Sequence, residues 1–152
     1  MTDLERLLDL YSQDTTVKLL QQALLADQAH IGVSGLAGSG KAFVFSGLVL
    51  NSCGPWLVIA SDKEAAAYLH NTLATLLPDA DILFIPDSFK RPGLIEEIIS
   101  SQVMERTEAV NKLHQNATTG YQKASMIAVT YPEALVETVI SPSSVARQQI
   151  QL

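Results

Sequence analysis

The chain has 152 residues, 10 Lys and Arg against 16 Asp and Glu, and a formal charge of −6. Hydrophobic residues make up 47% and charged residues 17%, a globular mix that excludes general disorder and suits one compact domain. The acidic balance argues against a stand-alone nucleic-acid binder, which gathers cations to neutralise phosphates.

Leu4, Leu7, Leu8 and Tyr11, then Val17, Leu19, Leu20 and Leu24, fall at helical spacing. They predict two short amphipathic helices within an N-terminal segment, residues 1–26, broken near Ser12-Gln13-Asp14-Thr15. Asp14 or Thr15 is the expected cap of the second. The acidic N-terminus lacks a signal-peptide pattern, and no apolar run is long enough to span a bilayer.

Ala29-His30-Ile31-Gly32-Val33-Ser34 reads as a first strand, ending in glycines, and Lys41 to Leu50 as a helix stopped by Gly54-Pro55. Trp56-Leu57-Val58-Ile59-Ala60 reads as a second strand, apolar on both faces. Asp62 or Ser61 is expected to cap a helix reaching about Leu76. Ile82-Leu83-Phe84-Ile85 is the third expected strand, followed by a loop through Lys90-Arg91-Pro92-Gly93. A helix is expected from about Ile95 to about His114, with a break near Ser100, then a loop from Asn116 to Gly120. Met126-Ile127-Ala128-Val129 is the fourth strand, and Pro132 to Ile140 a short helix with Thr130 as its cap. Residues 143–152 read as a linker toward a following domain.

Apolar strands alternating with helices predict an α/β fold: a parallel sheet flanked by helices, occupying residues 27–142. The single cysteine, Cys53, excludes an intramolecular disulfide and fits a reducing cytoplasm. His30, His70 and His114 show no ligand spacing, so no metal site is expected.

The chemical signal is Gly35-Leu36-Ala37-Gly38-Ser39-Gly40-Lys41-Ala42. It fits the phosphate-binding pattern G-x-x-x-x-G-K-[ST] everywhere but the last position. Glycines let successive N–H groups turn around a phosphate, and the following helix points its positive end there. Lys41 would reach the terminal phosphates, and a final hydroxyl would ligate Mg²⁺. Ala42 offers a methyl group, which cannot bind a hard cation. The expected site is therefore a vestigial phosphate loop of Gly35, Gly38, Ser39, Gly40, Lys41 and Ala42, able to hold a phosphate or sulfate ion but not to hydrolyse ATP. The competing reading is that Gly35, Gly38 and Gly40 merely make a tight turn that lets helix and sheet pack closely. No catalytic residue is assigned. Asp87 follows the third strand, but Pro86 intervenes and no Glu comes after it.

The glycine loop with Phe43 resembles the altered phosphate loop of the UvrB-like module that begins bacterial transcription-repair coupling factors (Mfd). Leu57 to Ala66, Ile85-Pro86-Asp87, the segment around Arg106, and Ile127 to Thr130 with Ala134-Leu135 continue the resemblance in order. It implies a P-loop, RecA-like helicase-type domain, here partial, in a much longer ATP-driven DNA translocase. Such a protein displaces stalled RNA polymerase and recruits UvrA, mainly through a following domain. ATP and Mg²⁺ would act in a distant C-terminal motor on double-stranded DNA. This piece would be a non-hydrolysing scaffold without a cofactor of its own. The alternative is the nucleotide-binding half of UvrB itself. UvrB keeps Thr or Ser at the position of Ala42, and inserts a long aromatic hairpin for which Ser88 to Gln102 is too short. Phe89-Lys90-Arg91-Pro92 departs from the aromatic and acidic stretch usual in coupling factors.

Overall fold

A computed structural model describes residues 2–26, 30–52, 54–88, 100–119 and 126–139. Cys53, Lys90, Arg91, the start of the helix expected from Ile95, and the linker at 143–152 lie outside them.

Two helices open the chain, α1 (Asp3–Gln13) and α2 (Thr15–Leu25). Thr2 and Glu5 form a reciprocal capping box on α1, satisfying two otherwise orphaned amides. Asp14 ends α1 and caps α2, its carboxylate accepting from Thr16 and Val17. Those amides hold the Asp14 carboxyl below its usual pKa.

Helix α3 (Gly40–Leu50) is apolar on most of its surface because it is wrapped by other helices. Tyr11 of α1 stacks on Phe43 of α3, with ring centroids 5.2 Å apart. Gly47 sits where a side chain would be crowded: an added Cβ would lie 3.3 Å from the Tyr11 carbonyl. Asn51 locks the same crossing by donating to the carbonyls of Ser12 and Gly47, both at 3.1 Å.

The sheet is parallel and three-stranded, in the order β1-β3-β2, with β1 Trp56–Ile59, β2 Asp81–Phe84 and β3 Met126–Thr130. Val58 pairs with Val129 on one side of β3, and Phe84 pairs with Val129 on the other. Helix α4 (Lys63–Leu76) links β1 to β2, and α5 (Ser100–Thr119) packs against β2. Helix α6 (Pro132–Leu135) follows β3. The main core gathers Leu8, Ala42, Val49, Ala66, Leu73, Ile127, Val129 and Tyr131, so α1 shares it. A smaller cluster of Leu83, Ala109 and Met126 lies under α5.

The parallel α/β architecture agrees with the sequence reading, but four details differ. Residues 30–37 form no strand. A short apolar run does not specify a strand by itself, Gly32 weakens it, and the described sheet ends at β1. The expected loop at Asn116 is helical through Thr119, where the Asn116 and Thr118 side chains bond back to carbonyls one turn earlier. Helix α6 stops at Leu135 rather than Ile140, since Arg106 captures the Ala134 and Glu137 carbonyls. Strand β1 is not apolar-packed on both faces: Leu57 is 57% exposed and Ile59 54%.

Candidate functional site

The glycine loop enters α3 in an open geometry. Gly35 has φ +84° and Gly38 φ +51°, conformations that other residues adopt only with strain. A Cβ added at Gly35, Gly38 or Gly40 would meet nothing within 4 Å. The turn half of the competing reading fits these angles, while none of the three glycines is held bare by a close neighbour. Gly35 and Gly38 are needed for backbone direction, and Gly40 leaves the helix entrance uncluttered. Ser39 is the N-cap, with no side-chain cap bond, while its carbonyl accepts from Ala42 and Phe43 at 3.0 and 3.2 Å. The Gly40 amide is committed to the Ala37 carbonyl at 3.0 Å.

Lys41 and Ala42 diverge on the first turn of α3. Lys41 is exposed, whereas Ala42 is 2% exposed and belongs to the main core. A position that would carry a metal-ligating hydroxyl in a working loop is here a small packing group.

A second arrangement lies where β2 and β3 end. Parallel neighbours finish at the same sheet edge, so the residues after them must meet. Asp87 follows β2 and Tyr131 follows β3. The Tyr131 hydroxyl donates to Asp87 Oδ1, and the Asp87 amide donates back to the Tyr131 oxygen at 2.9 Å. Lys63, at the start of α4, donates to the same carboxylate oxygen at 3.2 Å. These three residues, with Asp62, Glu64 and Glu133, line a recess of about 280 Å³. Lys41 is not among the residues that line it.

Burial works against ionisation of Asp87, but the Tyr131 hydroxyl and the Lys63 ammonium outweigh it and hold the carboxyl below its usual range. Burial, then the Asp87 carboxylate, pushes the Tyr131 phenol up to about 12. Asp62 is fixed as the cap of α4, accepting from the Ala65 amide at 2.8 Å, while Ser61 donates to its other oxygen at 2.8 Å. Its carboxyl is held low by these bonds. Thr130 does not cap α6. Its hydroxyl donates to the Ile85 carbonyl at 3.0 Å, tying the end of β3 to the chain leaving β2.

Arg106 secures this edge from behind. Its side chain, 9% exposed, donates to Pro86 O at 2.8 Å, Ala134 O at 3.2 Å and Glu137 O at 3.3 Å. It pairs with the Glu137 carboxylate at 3.7 Å, which also accepts from the Ser88 amide at 2.8 Å. A cation amid carbonyls anchors backbone rather than ligand. The sequence named this segment by resemblance but gave no role for Arg106, because its partners lie 20 to 31 residues away.

Among the described residues, no helix is long and apolar enough to cross a membrane. No family model matches the chain, and no solved structure does. A stretch of 70 residues, 46% of this chain, is 30% identical to UvrABC system protein B of Photorhabdus laumondii. Another of 67 residues, 44% of the chain, is 31% identical to the protein of the same name from Vibrio vulnificus. A third of 77 residues, 51% of the chain, is 27% identical to that of Aliivibrio fischeri. The aligned stretches span only 10 to 11% of those relatives. The chain is thus similar, over about half of its length, to a small part of UvrABC system protein B.

Proposed function

We propose that this chain is an excision-repair scaffold module of the UvrB-like kind that opens transcription-repair coupling factors, with a glycine loop that no longer turns over ATP. The observation that carries this reading is Ala42, a buried methyl group on the first turn after the loop. Without an oxygen at that position the loop has no ligand for Mg²⁺ there, and charge developing on a phosphate goes uncompensated. The similarity to UvrABC system protein B supports a place in excision repair. On this reading UvrA, RNA polymerase and double-stranded DNA are partners of the longer protein, and ATP is used by a motor elsewhere in it.

A second reading is the nucleotide-binding half of a UvrB-type helicase, favoured by the name that the relatives carry. Isothermal titration of ATP with Mg²⁺ separates the two. The scaffold predicts no binding heat with the natural chain. The helicase half predicts saturable binding that Lys41→Ala abolishes. Tight Mg²⁺-dependent binding by the natural chain overturns the scaffold reading.

A further inference from the structure

We draw no further inference here: the strongest candidate, the apolar groove between α1, α2 and residues 31–36, lined by Leu7, Leu10, Leu19, Leu20 and Val33, carries nothing because the structure does not show what covers it.

Discussion

Tyr131 and Asp87 exchange two hydrogen bonds across the carboxyl ends of neighbouring strands, hydroxyl to carboxylate and amide to hydroxyl oxygen. The pair joins the chain leaving β2 to the chain leaving β3 over a separation of 44 residues. Removing the phenol oxygen costs both bonds at once. Tyr131→Phe should lower unfolding stability by about 1–3 kcal/mol in urea denaturation at neutral pH. A change within about 0.3 kcal/mol would mean the pair contributes little.

The same pair sets a pH dependence at each extreme. Asp87 is held below its unfolded value, so its contribution is full above that value and is lost as pH falls through the folded pKa. Tyr131 has its folded pKa raised to about 12, so its contribution is full below the unfolded value and lost as pH rises from there through the folded one. A tyrosinate absorbance titration should show a phase near 12 that is missing in Tyr131→Phe. A titration unchanged by the substitution would refute the assignment.

Arg106 holds three carbonyls and one carboxylate with almost no exposure. Truncation leaves the Glu137 carboxylate without its cation, still accepting from the Ser88 amide, and the Pro86 carbonyl short of a donor. Arg106→Ala should destabilise by about 3–5 kcal/mol. Lysine cannot reproduce the planar fork, so Arg106→Lys should recover less than half of the loss. Chemical denaturation of the three proteins decides this. Full rescue by lysine would show that charge alone matters.

The glycines of the loop should separate by conformation. Gly38→Ala places a side chain at φ +51° in open space, so its cost is backbone strain of about 1–2 kcal/mol. Gly40→Ala has no such strain and no steric contact, and alanine favours the helix it enters, so stability should hold or rise by up to about 1 kcal/mol. Equal effects of the two substitutions in thermal unfolding would contradict the geometry.

Gly47 makes the reverse prediction. Its Cβ would press on the Tyr11 carbonyl at 3.3 Å, at a crossing of two backbones where neither atom is the tip of a flexible side chain. Gly47→Ala should cost about 1–3 kcal/mol despite the better helix propensity of alanine. Retained or increased melting temperature would show that α1 can shift away from α3.

Periodicity and capping chemistry were legible from residues alone. Leu4, Leu7, Leu8 and Tyr11 mark α1, Asp14 caps α2 and Asp62 caps α4, because these effects act within one or two helical turns. Two of the expected strands after the glycine loop begin where expected, at Trp56 and Met126, while β2 begins at Asp81, one residue earlier. The glycine loop was legible as a motif, and its missing hydroxyl as a chemical fact. Tertiary structure alone decided the rest. It left Ile31 and Val33 out of the sheet, turned Ala42 into the core, and brought Lys63, Asp87 and Tyr131 to one recess. It also made Arg106 the anchor of two distant segments. The reason is range: helix periodicity and caps depend on neighbours a few residues away, whereas sheet edges and polar networks depend on which strand ends the fold places side by side.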